Sequence, residues 1–150
     1  MRDNAGVPSA NVEVIRRLNA AFNAGDLGSF AGLLDPEVEF FDHLPLPDVQ
    51  QSARGTDEVR SVLEHWREGF TTFNAEVVEY MDLGDYVVCS THWRFRSLDE
   101  EVELDWIGAE AHQLREGKVV WSAVGFRNPA AAIEAIEERS GPRTGRPAQA

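Results

Sequence analysis

The chain has 150 residues, 43% hydrophobic and 27% charged, and its 26 acidic against 14 basic side chains leave a formal net charge of −12. That length suits one domain, and the acidic balance argues against nucleic-acid and anionic-membrane partners, both of which select for Lys and Arg. The single cysteine, Cys89, excludes an internal disulfide and a cysteine-rich metal cage; with no signal segment and no bilayer-length apolar run in view, a cytoplasmic protein is expected.

Residues 1–9 are polar with Gly and Pro and read as a loose leader; residues 139–150, with two Pro and two Gly, read as a disordered tail. The folded domain is expected over 10–138. Ser9 is placed to cap a helix carrying Val12, Ile15, Leu18 and Phe22 at helical spacing, and Gly25 to end it. Asp26 is expected to cap a second short helix with Phe30, Leu33 and Leu34 inside, stopped by Pro36. Val38–Phe41 reads as a first strand, and the Pro-containing stretch His43–Ser52 as an irregular loop. Thr56 is expected to cap a third helix with Val59, Val62, Leu63 and Trp66 buried. Four strands follow, Phe73–Tyr80, Tyr86–Arg96, Val102–Arg115 and Lys118–Phe126, joined by turns short enough for antiparallel hairpins. Asn128-Pro129 then opens a last short helix. Helices set before an antiparallel meander predict an α+β fold with the helices on one sheet face.

Strand parity separates two faces. In Glu101–Trp106 the carboxylates alternate with Val102, Leu104 and Trp106, which places those three, then Gly108, Glu110, His112 and Leu114, on the inner side. A tight turn at Glu116-Gly117 would set His112 opposite Trp121 and Glu110 opposite Ala123, whereas a bulge would invert this. The outer positions Ile107, Ala109, Ala111, Val120, Val124 and Phe126 are too apolar for water. They predict a homodimer through the outer face of the last two strands, unless the C-terminal helix covers them.

Leu18-Asn-Ala-Ala-Phe-Asn-Ala-Gly-Asp-Leu27, Leu33-Leu-Asp-Pro-Glu-Val-Glu-Phe40, Gly55-Thr-Asp-Glu-Val59 and Leu114-Arg-Glu-Gly-Lys-Val-Val120 together resemble the NTF2-like superfamily. The likeness is to its branch of ketosteroid isomerases and SnoaL-like polyketide cyclases, over about residues 10–138. It implies a cone, a strongly curved antiparallel sheet wrapped around the N-terminal helices with a deep pocket at the open end. It also implies roles. Asp42 falls where the isomerases carry a proton-shuttling aspartate, and Glu110 where they keep a protonated aspartic acid and the cyclases an acid/base aspartate. Leu18 falls where the isomerases have the tyrosine of the oxyanion hole, so a tyrosine-plus-neutral-acid pair is absent at that position. The related epoxide hydrolases activate water with aspartates that residues 91–96 and 121–126 lack.

A proton-transfer site needs a base near the substrate carbon and a donor for the developing oxyanion. The candidates are Asp42, kept ionised near the mouth, and Glu110, kept protonated by apolar walls, with His112 as a neighbouring acid/base group. The pocket is expected to be lined by Leu18, Phe22, His43, Trp66, Trp93, Trp106 and Trp121, suiting a small hydrophobic ligand. The alternatives are a turn aspartate at Asp42, an exposed or Arg-paired Glu110, and an ordinary hydrogen-bonded histidine at His112. Asp42, His43, Glu110 and His112 lack recognised metal-ligand spacing, so no metal and no cofactor is expected. Three functions follow in order: a cofactor-free isomerase or cyclase of hydrophobic carbonyl compounds, a non-catalytic ligand-binding or dimerisation module, and water activation on an epoxide.

Overall fold

The structure, a computed structural model, describes residues 9–43, 52–99, 101 and 103–144. Residues 1–8 of the expected leader, 44–51 of the expected loop, Glu100 of an expected hairpin turn, Val102 and 145–150 of the expected tail lie outside the described residues. Four helices accompany six strands: α1 (Ala10–Ala24), α2 (Leu27–Gly32), β1 (Leu34–Asp42), β2 (Ser52–Arg54), α3 (Thr56–Gly69), β3 (Phe70–Leu83), β4 (Tyr86–Ser97), β5 (Glu103–Arg115), β6 (Lys118–Phe126) and α4 (Pro129–Thr144). The strands form one curled, unclosed sheet in the order β2-β1-β6-β5-β4-β3. β1 runs parallel to β6, and every other pair is antiparallel.

The helix ends follow from local chemistry. Ser9 accepts from the Val12 N–H, and Gly25, at φ 74°, takes the left-handed conformation in which its N–H returns to the last turn of α1. Asp26 caps α2 through the Ser29 N–H. Asn128 caps α4, accepting from the Ala131 N–H at 2.8 Å with Pro129 at the first helical position. Several boundaries depart from expectation, among them β3, which runs Phe70–Leu83 where Phe73–Tyr80 is expected. α2 closes at Gly32, so Leu34 opens β1 instead of ending a helix and Pro36 sits inside a strand. Gly55, not Thr56, occupies the α3 cap, and the Thr56 hydroxyl donates instead to the Asp35 carbonyl at 3.4 Å. β2, on the end of the sheet beside β1, carries no apolar run long enough to announce it.

The inner face of the sheet packs against α1, α2 and α3 around Ile15, Val38, Leu63, Trp66 and Phe95. α1 also finishes the free edge of the sheet. Asn23 accepts from the Ala75 N–H and donates to its carbonyl, both at 2.8 Å, while Asn19 donates to the same carbonyl at 3.1 Å. Two backbone groups of β3 are thereby closed to a foreign strand.

α4 corrects the expectation of helices on one face only. It lies on the outer face, where Ala132 and Ile136 pack with Val88, Ala109, Ala111, Trp121 and Ala123. It also runs to Thr144, beyond the point where the sequence ends it. The apolar patch that predicts a homodimer is thus largely closed within one chain, while Ile107 stays 65% exposed.

A second correction comes from β6. Leu114 pairs with Val119 and Gln113 with Trp121, so Val120 is an extra residue and parity flips beyond it. His112 therefore faces Ser122, and Glu110 faces Val124. Trp121 and Ala123, expected inside, turn outward under α4, and Val124, expected outside, turns in.

Gly108 marks where β5 tolerates no side chain. A Cβ there would stand 2.4 Å from the Trp106 ring and 2.5 Å from the Phe126 carbonyl oxygen. Gly108→Ala is therefore expected to cost about 1–3 kcal/mol of stability, seen as a lower urea midpoint at unchanged slope. Gly32→Ala, whose Cβ meets nothing within 4 Å, is the control and should lose nothing.

Candidate active site

Every second residue of a strand faces inward, and the register aligns five of them in one row across the sheet. Tyr80 of β3 pairs with Cys89 of β4, Cys89 with Glu110 of β5, Glu110 with Val124 of β6, and Val124 with Asp42 of β1. At about 4.8 Å per strand, Asp42 and Tyr80 each stand roughly 10 Å from Glu110, on opposite sides. One step along the strands, His112 lies opposite Ser122, and Thr91 opposite Gly108.

Above this row is a cavity of about 50 Å³. Its walls are Leu18 and Phe22 of α1, Phe30 of α2, Trp66 of α3 and Trp93 of β4. The rings are interlocked: Phe22 meets Trp66 and Trp93 edge-on at 6.4 and 6.0 Å. Glu110, His112, Ser122 and Asn19 supply the polar groups among its lining residues. Leu34 also lines it, brought there by the early end of α2.

Glu110 sits in this apolar enclosure and receives a hydrogen bond from the Thr91 hydroxyl at 3.0 Å. Burial pushes its carboxyl up to about 7, against the opposing pull of Thr91, because the charged form loses hydration that one hydroxyl does not replace. Burial acts in the opposite direction on His112, holding the imidazole down to about 4. Its Nδ1 is 2.6 Å from the Ser122 hydroxyl, which fixes the ring. Cys89 is held as a thiol by burial and, next, by Glu110. Tyr80, its phenol also shifted up by burial first, carries the Arg16 guanidinium 4.8 Å above its ring.

The other predicted residues are dispersed. Asp42 is buried at 3% exposure on the inner side of β1, but it does not border the cavity. His43 is exposed, its ring 5.7 Å from Phe126 at the surface. Trp106 is half-buried against the inner core without lining the cavity. Trp121 lies on the opposite face for the reason given by the Val120 bulge, with Arg139 4.7 Å over its ring. Cys89, Thr91, Ser122 and Tyr80 did not stand out as site residues in the sequence. The alternating parity of β4 is the signal that brings Cys89 and Thr91 in. Tyr80 stands against α1, since Arg16 covers its ring.

The Cys89, Glu110 and His112 ligand atoms lie within 4.8 Å of one another, all buried. They could hold a metal ion if the thiol and the carboxyl both gave up protons. The four-residue set including Asp42 and His43 is not gathered.

The model of the SnoaL-like domain family matches residues 15–122. No curated protein matches the chain. Among solved structures it is similar to a SnoaL-like polyketide cyclase assigned as such in Shewanella denitrificans OS-217, with 12% identity over 85% of this chain and 99% of that one, at a TM-score of 0.68. It is similar to TerC co-crystallised with polyporic acid, with 20% identity over 87% and 99% and a TM-score of 0.70. A hypothetical protein from Catenulispora acidiphila DSM 44928, of ketosteroid isomerase-like fold and in complex with trimethylamine, gives 11% identity over 80% and 91% and a TM-score of 0.67. At these identities the likeness is one of fold. No helix among the described residues is long and apolar enough to cross a membrane.

Burial of the two titrating groups makes stability depend on pH in opposite senses. Between pH 4.5 and 7 the folded state holds the Glu110 proton and the unfolded chain does not, so this group's contribution falls as pH rises. Between pH 4 and 6.5 the unfolded chain holds a His112 proton that the folded state lacks, so that contribution rises. Glu110→Gln removes only the first. Urea titrations at a series of pH values should show its stability relative to wild type growing by about 3 kcal/mol from pH 4.5 to 7.

Proposed function

We propose, on the premise that this chain belongs to the SnoaL-like domain family, that it is a cofactor-free acid/base catalyst moving a proton on a small apolar carbonyl compound. The observation that carries this reading is a carboxyl group poised near neutrality by an aromatic-walled cavity, with a neutral histidine beside it. Both protonation states of Glu110 are populated around pH 7, which suits a group that must take a proton and give it back.

In the forward step the ionised Glu110 carboxylate removes a proton from the carbon next to the carbonyl. The C–H electron pair forms the new C=C bond, and the carbonyl π pair moves to oxygen. In the tautomer that this step requires, the Ser122 hydroxyl donates to Nδ1, and the His112 ring carries its proton on Nε2 and donates it as a hydrogen bond to that oxygen. Glu110, now the acid, returns the proton to the same or another carbon. Thr91 orients the carboxyl by holding Oε1. Asp42, expected as the base from the resemblance, does not border the cavity, so the base is assigned to Glu110 and Asp42 to the flank of the row, beyond Val124.

A second reading, a ligand-binding module, is favoured by Leu18, which puts an apolar wall in the cavity where the isomerases resembled by this sequence have a tyrosine donor. The polyporic acid and trimethylamine held by similar structures agree with a small-molecule partner under either reading.

Deuterium uptake at the α-carbon of cyclic and aryl ketones, followed by proton NMR in D2O, separates the two. Catalysis predicts exchange whose kcat/KM rises with pH to a plateau above about pH 7, and a loss of about 100-fold or more in Glu110→Gln. Exchange left unchanged by that substitution sinks the acid/base reading, and thermal stabilisation by ketones without exchange supports the binding module.

A further inference from the structure

Beside the two groups of the proton transfer stands a third that the transfer does not use. Cys89 pairs directly with Glu110 across β4 and β5 and is wholly buried. Its sulfur, a Glu110 oxygen and a His112 ring nitrogen all lie within 4.8 Å of one another. Thiolate, carboxylate and imidazole are the donor types that zinc-class ions take, at bonds of about 2.0–2.3 Å. Four-coordinate geometry sets such donors about 3.3–3.7 Å apart, so the widest separation has at most about 1.5 Å to close. The side-chain torsions of Glu110 and Cys89 are free to supply that movement, while the His112 ring stays fixed by Ser122.

The surroundings already orient two of the donors. The Thr91 hydroxyl holds Glu110 Oε1 at 3.0 Å, which leaves Oε2 for an ion. Ser122 stands 2.6 Å from His112 Nδ1, which leaves Nε2. A hydroxyl accepts as well as donates, so Ser122 can take a hydrogen bond from Nδ1–H when Nε2 binds an ion. Charge balances as well. A divalent cation, one thiolate, one carboxylate and a neutral imidazole sum to zero, so the apolar enclosure gains no net charge, and the displaced protons pass to solvent. Magnesium and calcium, which take shells of oxygen donors, do not suit this set.

We propose that Cys89, Glu110 and His112 bind a thiophilic divalent cation of the zinc class, and that the bound ion stops proton transfer by occupying both groups the transfer needs. A water from the cavity completes the four ligands. The binding stands without the acid/base reading, and only the inhibition rests on it. A buried cysteine is otherwise an ordinary small apolar residue, which the absence of a thiolate signal would report.

The test titrates the full chain, metal-free and reduced, with cobalt(II), whose spectrum reports its ligands, and measures zinc(II) by its displacement of cobalt. One equivalent of cobalt is expected to give a thiolate-to-cobalt charge-transfer band in the near ultraviolet, with the intense visible bands of a four-coordinate ion. The chain has a single cysteine, so that band assigns itself to Cys89. Cys89→Ala is expected to lose the band and weaken zinc binding by about 100-fold or more, and His112→Gln to weaken it by about tenfold or more. His92→Gln, beside Asp105 on the outer face, should leave both unchanged. A wild-type chain without the band overturns the proposal whether or not the variants fold, as does zinc affinity that survives Cys89→Ala. In the deuterium-exchange assay one equivalent of zinc should abolish exchange and excess EDTA restore it, whereas exchange that persists with zinc bound overturns the inhibition. A chain that shows the band but exchanges no deuterium when metal-free keeps the ion site and loses the acid/base reading, and the inhibition with it.

Discussion

Keeping the Glu110 carboxyl away from water is the constraint on which the rest of this molecule depends. An ionised carboxylate in an apolar enclosure forfeits its hydration, and one hydroxyl from Thr91 returns only part of it. The neighbours are matched to that condition. Cys89 is held as a thiol and His112 as a neutral imidazole, so between about pH 4 and pH 7 the neutral form of each member of the cluster prevails. The same enclosure is what the proposed acid/base role draws on, since a carboxyl forced up to about 7 exchanges its proton at the pH where an ordinary glutamate does not.

Holding that enclosure shut requires both faces of the sheet to be covered. α1, α2 and α3 close the concave side with interlocked aromatic rings, and α4 closes the convex side over small residues, Ala109, Ala111 and Ala123. Small side chains let the helix approach the sheet closely, and Gly108 serves the same need where the Trp106 ring and the Phe126 carbonyl converge. At the open edge the two asparagines of α1 bind both backbone groups of Ala75, so the edge is protected by the helix that also walls the cavity. Fold and pocket are supported by the same contacts.

The acidic surplus belongs to a different layer. Asp26, Asp99 and Asp105 lie at the surface with their carboxyls held below the usual range, first of all by side-chain hydrogen bonds from Ser29, Ser97 and His92. Such exposed carboxylates keep the chain apart from other polyanions and leave the cavity's chemistry untouched. Glu110 stands apart from them by its position, at an inward point of a strand whose outward points include Asp105 and Ile107.

Local rules settled much of this in advance. Caps at Ser9, Asp26 and Asn128, the buried stripe of α3, the hairpin turns at Gly84 and Gly117 and the inward parity of Glu110 and His112 depend on residues near one another in sequence, and they are legible there. What lay beyond reach depended on distant partners. Val120 bulges only in the context of its pairing with β5, and that one residue sends Trp121 outward and brings Ser122 to His112. β2 exists because β1 offers it an edge, and α4 turns to the outer face because an apolar patch there needs cover. The sequence by itself determined the elements other than β2, the acid on the inner face and the aromatic stock of the core, since periodicity and capping are properties of a short stretch of chain. Only the tertiary structure decided which aromatics meet that acid and that Asp42 does not border the cavity, because register and burial are fixed by pairing across the whole sheet.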